Sequence, residues 1–415
     1  MQDRRVVITG LGALTPLGNN VKEFWNNAIE GKSGAKPITR FDAELFKTKF
    51  ACEIDGFNPE ECLTRNEIKR SDQFTQYALY ASNEAMLDAG LDMEKLDPFD
   101  VGVIWGTGQG GMVTFEEEWR NFVENDNIPR FSPFFVPKLI SNMASGLISM
   151  KFGLMGINYS TVSACATSNT SIMDAFNYIK MGKAKAFVTG GSESPISPAS
   201  IGGFSSMKAL STRNDNPAAA SRPFDVDRDG FVMGEGAGAM VLEEFEHAKK
   251  RGAKIYAEVV GASMTADAYH MTATHPEGLG ASRAMLNALN EAGLNPEDVS
   301  YINPHATSTP VGDQSETKAI YNVFQKNLKN LQISATKSMT GHLLGAAGVI
   351  EGILSVKAIT DGIIPPTINT KNIDPEIPSG LNIITGEAKE TPVDVAMSNT
   401  FGFGGHNAIV VFKKV

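Results

Sequence analysis

Cysteine is scarce in this chain. Three residues in 415, Cys52, Cys62 and Cys165, are too few and too odd in number for a disulfide framework. That pattern points to a reducing, cytoplasmic setting. Cysteine and histidine nowhere cluster at zinc spacing, so no metal is expected. Long hydrophobic runs are missing too: no stretch of about 18 apolar residues is present to span a membrane. Positive charge is in deficit, 37 Lys and Arg against 47 Asp and Glu, for a net charge of −10. Nucleic acid is therefore not expected as the main partner, and any acidic partner must be met by a local basic patch. The opening Arg4-Arg5 and the apolar residues up to Leu17 imitate a secretory signal. Thr9, Gly10, Gly12, Thr15, Pro16 and Gly18 interrupt that core, however, and no small-x-small cleavage site follows. Literal repeats and low-complexity segments are absent as well.

What remains is an ordinary globular composition, 42% hydrophobic and 20% charged. The length suits two to three domains or one large duplicated α/β unit. Buried strands are predicted at 6–8, 101–105, 186–189, 237–242, 255–260, 299–302, 395–398 and 408–412, with a further one near Ile333. Helices are predicted at 21–29, 71–89, 115–123, 282–292, 314–323 and 343–359. Residues 32–66 read as irregular, 132–137 as an aromatic, proline-punctuated loop, and 190–206 as a glycine- and serine-rich stretch. Strands alternating with helices predict α/β layers. The basic run Lys249-Lys250-Arg251 before Gly252 marks a seam between two similar halves, residues 1–250 and 251–415.

Two motifs imitate other functions. Gly106-Thr107-Gly108-Gln109-Gly110-Gly111 satisfies GxGxxG directly after a strand. The acidic residue near the expected spacing, Asp126, has no strand before it, so tight turns or close approach explain the glycines better than a dinucleotide. Asp225 to Gly230 copies the first half of a calcium loop, but Gly236 stands where the twelfth-position glutamate belongs.

Four segments carry reactive residue types. In Val162-Ser163-Ala164-Cys165-Ala166-Thr167-Ser168-Asn169-Thr170 a strand-like run ends in a cysteine. The following residues, with Ile172, Ala175, Phe176 and Ile179 at helical spacing, put that cysteine at a helix N-terminus that favours a thiolate. The competing reading is a small buried hydrophobe. Asn303-Pro304-His305-Ala306-Thr307-Ser308-Thr309-Pro310 sets a histidine just past a strand. Thr336-Lys337-Ser338-Met339-Thr340-Gly341-His342 sets a lysine and a histidine before a Gly/Ala-rich helix. Asn399-Thr400-Phe401-Gly402-Phe403-Gly404-Gly405-His406-Asn407 is a glycine-hinged loop with two aromatics. Open α/β sheets place ligands at the carboxyl ends of strands, where three of these segments fall.

Together, and with Val7-Ile8-Thr9-Gly10-Leu11-Gly12, Ser211 to Asp215, Ser221 to Asp225 and Gly234 to Gly238, these segments resemble the β-ketoacyl-[acyl-carrier-protein] synthases of fatty acid synthesis. The match is to their Cys-His-His class, nearest to synthase II, and spans essentially the whole chain. The resemblance implies a thiolase-like fold, a duplicated five-layer αβαβα sandwich, in a homodimer. It implies decarboxylative Claisen condensation of a Cys165-bound acyl group with malonyl-acyl-carrier protein.

By the same resemblance, His305 and His342 support the enolate, and Lys337 holds His342 with Glu351 as partner. Backbone N–H groups of Cys165 and Phe403 form the oxyanion hole, and Phe403 gates the acyl channel. Thr307 and Thr309 meet the pantetheine arm, with Gln109, Phe204, Phe401 and Glu351 counted among the substrate-site residues. Lys69, Arg70 and Lys208 fall at the carrier-protein docking positions. No cofactor is implied beyond the 4′-phosphopantetheine that arrives on the carrier protein.

The chain departs from the family pattern at Pro304, Ala306 and Ser168-Asn169. It departs most informatively at Gln109, where an apolar residue is usual beside the acyl channel. A buried amide without a partner costs about 1–3 kcal/mol, so Gln109 either finds a partner or changes which chain lengths fit. The alternatives are a polyketide-type condensing enzyme or another thiolase-fold acyltransferase. A coenzyme-A thiolase would want a second cysteine in the C-terminal half, a silent chain-length subunit would lack Cys165, and a cysteine hydrolase would need only one histidine.

Overall fold

The computed structural model describes residues 4–415. Its main sheet has ten strands: β1 (Val6–Leu14), β2 (Val101–Gly106), β3 (Asn158–Thr161), β4 (Ala186–Glu193), β5 (Gly236–Glu244), β6 (Ala257–Ala266), β7 (Tyr301–Asn303), β8 (Gln332–Ile333), β9 (Val395–Gly402) and β10 (His406–Lys413). Six helices position the site: α1 (Gln73–Ala89), α2 (Met143–Phe152), α3 (Thr167–Lys180), α4 (Leu279–Ala292), α5 (Pro310–Phe324) and α6 (Ala347–Asp361).

The spatial strand order is β8-β7-β9-β10-β6-β1-β5-β4-β2-β3. Taken outward from the β1–β6 join, the order in each half is first, fifth, fourth, second and third strand. The pairing senses also match. First with fifth and fifth with fourth are antiparallel, while fourth with second and second with third are parallel. In each half one helix follows the first strand (α1, α4), one joins the second to the third (α2, α5), and one joins the third to the fourth (α3, α6).

Within the sheet, the two halves pair over only Val6, Val7 and Ile8 of β1, facing β6. Beyond Ile8 the strands part, and side chains satisfy N–H groups of both strands. Asp88 and Glu84 of α1 accept from Leu11 and Ala13 at 2.9 and 2.8 Å. Glu291 of α4 accepts from Ala262 at 3.1 Å. Buried backbone donors demand such partners. Both helices lie so close that a Cβ on Gly10 would collide with the Ala85 carbonyl, and one on Gly261 with that of Ala288.

Period-two alternation then sorts the core into layers. Val101, Val103 and Trp105 face α1 and α2, with Phe74, Tyr77 and Ile148. Ile104, Met240 and Leu242 face the other way, onto Ile172 and Phe176 of α3 and Ile350 and Ile353 of α6. Ala396, Val410 and Phe412 close that central layer from the second half, while Ile409, Val411 and Met397 meet Met285 of α4 and Ile320 of α5. The result is helices, sheet, helices, sheet, helices.

Several predicted elements have different bounds. β3 stops at Thr161, and Val162 is 61% exposed, so the strand does not run into Cys165. A sharp turn intervenes, with Ala164 at φ 51°. Helix Phe135–Leu139 begins inside the predicted loop 132–137. Strand β4 runs on to Glu193 and a helix covers Pro198–Ser206, where a glycine/serine stretch was predicted. In 32–66, Lys36–Pro37 pairs with Phe50–Ala51 and a capping box opens helix Arg65–Arg70. Helix α2 has weak amphipathic periodicity and was not predicted; its burial is decided by α1 and β2.

Candidate active site

Cys165 is the middle residue of a one-turn 3-10 segment, Ala164–Ala166, that feeds α3. The counterpart in the second half is Leu344–Ala346, feeding α6. Ala164 and Leu344 both take left-handed backbone, at φ 51° and 47°. A β-carbon residue rarely holds that conformation unless its surroundings enforce it.

The backbone N–H groups of Cys165 and Phe403 lie near the Cys165 sulfur and favour its ionised form. Phe403 comes this near because residue 402 has no side chain; a Cβ there would press on the Ser163 carbonyl and sit 3.1 Å from the Cys165 nitrogen. The predicted thiolate is corrected. Burial pushes the Cys165 thiol up to about 12; Lys337 and the two N–H groups oppose this and Glu193 adds to it. Desolvation outweighs the helix terminus because the sulfur is almost wholly enclosed, and it penalises the charged form.

His305 follows β7 by two residues, and His342 follows the short helix Lys337–Thr340. Their ring centroids lie 5.2 Å apart at 87°. Burial, with Lys337 next in size, holds both imidazoles well below the usual histidine range, so both are neutral. Each ring is placed through its backbone. The His305 and Ala306 N–H groups donate to Glu316 at 2.9 and 2.7 Å, and the His342 N–H donates to the Val232 carbonyl at 2.7 Å. Lys337 and Glu351 form an ion pair in which both side chains are buried. Burial pushes the Glu351 carboxyl upward against the pull of that ammonium.

A cavity of about 310 Å³ joins Cys165, His305 and His342 to the surface, with Lys337 and Glu351 behind its wall. Cys165, His305, His342, Phe401 and Phe403 line it, together with Thr307, Thr309, Phe204 and Lys208. The two threonine hydroxyls are 3.0 Å apart. Phe403 packs 6.2 Å from Phe204, and His305 packs 5.6 Å from Phe401.

Other residues singled out from the sequence are not brought to the cavity wall. Glu351 stands behind Lys337 and does not line the cavity, which corrects its place among the substrate contacts. Gln109 is also off the wall and has found a partner: its Oε1 accepts from the Ser200 hydroxyl at 2.9 Å. Lys69 and Arg70 are exposed at the end of helix Arg65–Arg70, with Arg70 stacked 5.4 Å from the Phe134 ring. Of the three basic residues, only Lys208 reaches the cavity rim.

Sequence reasoning missed Glu316, Glu193, Phe231 and Asp267. Glu316 and Glu193 are buried carboxylates that tie distant backbone segments together, and no local pattern announces such a role. Phe231 packs edge-on 5.2 Å from His342, and Asp267 joins the cavity wall from the loop after β6. The GxGxxG glycines serve close approach. Gly108 and Gln109 give their N–H groups to Glu193, and a Cβ on Gly111 would strike the Lys138 carbonyl. Among the described residues no group of three or more His, Cys, Asp or Glu side chains is arranged to hold a metal ion. No helix among them is long and apolar enough to cross a membrane.

Two family models, the beta-ketoacyl synthase N-terminal and C-terminal domains, match residues 3–248 and 256–371. The chain belongs to the β-ketoacyl synthase family. This synthase is 49% identical over 414 residues to 3-oxoacyl-[acyl-carrier-protein] synthase 2 of Synechocystis, covering 100% of this chain and 99% of the relative. To the protein of the same name from Staphylococcus aureus it is 51% identical over 413 residues, with the same shares covered. A solved type II polyketide ketosynthase, in complex with its acyl-carrier protein and bound to a hexaketide, superposes with a TM-score of 0.92 at 33% identity over 100% of both chains. The duplicated αβαβα layering is the thiolase-like fold of these ketosynthases.

Proposed function

We infer that this synthase is an acyltransferase that condenses an acyl group, held on Cys165, with malonyl-acyl-carrier protein to give a 3-oxoacyl-carrier protein two carbons longer. One observation carries the reading: a single cavity brings the Cys165 sulfur together with two neutral imidazoles. In the first step the sulfur attacks the thioester carbon of an acyl-carrier protein. The thiol proton leaves with the departing pantetheine sulfur, and the Cys165 and Phe403 N–H groups hold the transient oxyanion. In the second step the malonyl carboxyl leaves as carbon dioxide. Its electron pair passes into an enolate whose oxygen accepts hydrogen bonds from His305 and His342. The enolate carbon attacks the acyl carbon, and the Cys165 sulfur departs and regains a proton. Neutral imidazoles suit this role because they donate without placing net charge in a buried cavity.

Around these groups, Lys337 paired with Glu351 fixes the His342 segment and the local field. Thr307 and Thr309 bind the pantetheine arm, Phe204 and Phe401 bound the substrate path, and Phe403 swings to admit the acyl chain. Lys69, Arg70 and Lys208 receive the acidic carrier protein. The reaction needs no resident cofactor. The unit is a cytoplasmic homodimer built from halves 1–250 and 251–415. Support for the dimer comes from the open edge of β3 and the exposed apolar side chains Val162, Trp119 and Val136.

The deciding experiment pairs iodoacetamide labelling with malonyl-carrier decarboxylation. Selective labelling at Cys165 is expected, together with carbon dioxide release that disappears in the His305→Ala/His342→Ala double variant. Release that survives the double variant would overturn the enolate role. The decarboxylation rate is also expected to stay level between about pH 6.5 and 8, because imidazoles held well below the usual range do not take a proton there. An inflection near the ordinary histidine value would contradict neutral donors.

Assay over a ladder of acyl-carrier substrates separates fatty acid elongation from the polyketide-type alternative. In that assay Gln109→Ile removes the hydrogen bond to Ser200 but, with residue 109 off the cavity wall, is expected to leave the chain-length profile in place. A shifted profile would show that the amide does take part in chain selection.

A further inference from the structure

The two halves carry matching elbows, and only one of them holds the sulfur. The Cys165 N–H sits in the first elbow; Gly345 occupies the same place in the second. There, the N–H of Gly345 points at a carboxylate of the protein itself, Glu193, at the end of β4. The same carboxylate accepts from the N–H groups of Gly108 and Gln109 and from the Thr107 hydroxyl at 3.2 Å. It is wholly buried, and its Oε2 has no hydrogen-bond partner. The site admits no larger neighbour. A Cβ on Gly108 would lie 2.9 Å from Glu193 Oε1 and 3.7 Å from the Ala164 carbonyl, and one on Gly345 would lie 2.6 Å from the same Oε1. Glu193 is thus one glycine away from the residue that precedes Cys165. The mechanism above does not use it.

We propose that Glu193 is a positioning residue for the nucleophile: it locks the turn after β2 to the start of α6 beneath Cys165 and, by its negative charge, restrains the sulfur from ionising. The proposal rests on Cys165 being the nucleophile. Donors from two segments, residues 107–109 and Gly345, favour the charged carboxylate, and burial opposes it; burial, the larger influence, raises the group to about 7. Glu193 therefore changes charge near neutral pH. The charged groups that act on the sulfur are Lys337, which favours the thiolate, and Glu193, which disfavours it; the neutral His305 and His342, with Lys208, Asp267 and His406, line the same cavity. Glu193 is the anion of this set that disfavours the thiolate, so removing its charge tips the balance toward Lys337.

The test reads alkylation of Cys165 by iodoacetamide against pH, by mass spectrometry on the intact enzyme. Glu193→Gln keeps the acceptor oxygen and loses the charge. It is expected to move the alkylation midpoint about one pH unit lower, roughly tenfold faster labelling at neutral pH. Glu193→Asp keeps the charge and is expected to keep the parent midpoint. Thr107→Val removes one hydrogen bond that favours the charged form. It is expected to move the midpoint in the same direction as Glu193→Gln but by less, and it serves if Glu193→Gln does not fold. A Glu193→Gln profile that overlays the parent's, or equal shifts in Gln and Asp, would overturn the charge role. Failure of Cys165 to label in the parent would instead overturn the assignment of the nucleophile.

Discussion

Cys165→Ala is expected to abolish condensation, by on the order of 10⁴-fold or more, while carbon dioxide is still released from malonyl-carrier protein. The asymmetry follows from how the cavity divides the work. Condensation needs a sulfur to hold the acyl group, and the parent offers only Cys165 on the cavity wall. Decarboxylation needs hydrogen-bond donors at the enolate oxygen, and these come from His305 and His342, whose backbone anchors, Glu316 and the Val232 carbonyl, do not involve Cys165. The small alanine leaves that geometry in place. Condensation and decarboxylation are measured separately, as chain-extended product and as gas. Equal loss of both would mean that the sulfur takes part in the malonyl step, and the division of roles would be wrong.

Lys337→Met has the largest expected effect on stability. Lys337 and Glu351 are both buried, and removing one partner strands the other charge in a medium that solvates it poorly; such losses run to about 3–5 kcal/mol. The double variant Lys337→Met/Glu351→Met is expected to recover most of that, since apolar replacement of a whole buried pair is often close to neutral. The pH dependence has a definite sign. In Lys337→Met the folded Glu351 binds its proton more tightly than the unfolded chain does, because burial raises it and no ammonium opposes. Between the unfolded and folded values the native state then holds more protons, and stability falls as pH rises. The deficit against the parent is smallest in mild acid and full above the raised carboxyl value. Denaturant midpoints at pH 5 and 8 for parent, single and double variants measure it. A deficit equal at both pH values would show that lost packing, and not the stranded carboxylate, accounts for the effect.

Much of the site was legible in the residues themselves. Cys165, His305, His342 and Phe403 each stand in a short segment whose glycines, alanines and hydroxyls leave little room for another purpose, and all four meet on one cavity. The charge state at Cys165 was not legible: the helix end suggested a thiolate, and burial reverses that. Enclosure depends on Phe231, Leu344, Phe401 and Phe403, which arrive from widely separated parts of the chain, so no local reading could weigh desolvation against the dipole.

Gln109 illustrates the same limit. Its amide posed a question of partner or consequence, and the partner, Ser200, lies on helix Pro198–Ser206, in a stretch that read only as glycine- and serine-rich.

The sequence by itself determined the strand and helix alternation, the buried character of the sheet and the four reactive segments, because periodicity, capping and residue chemistry are local properties. Two similar halves were announced by the restart of the pattern past Lys249-Lys250-Arg251, but the strand order they share was decided only in three dimensions. No literal repeat survives in the residues, yet both halves share one strand order, and α3 and α6 meet in the central layer. That symmetry is carried by hydrogen-bond register and packing volume, which many sequences satisfy equally well. The buried carboxylates at positions 193 and 316 belong to the same class. Each is held by a segment remote in the chain, and burial without those partners would be too costly to persist.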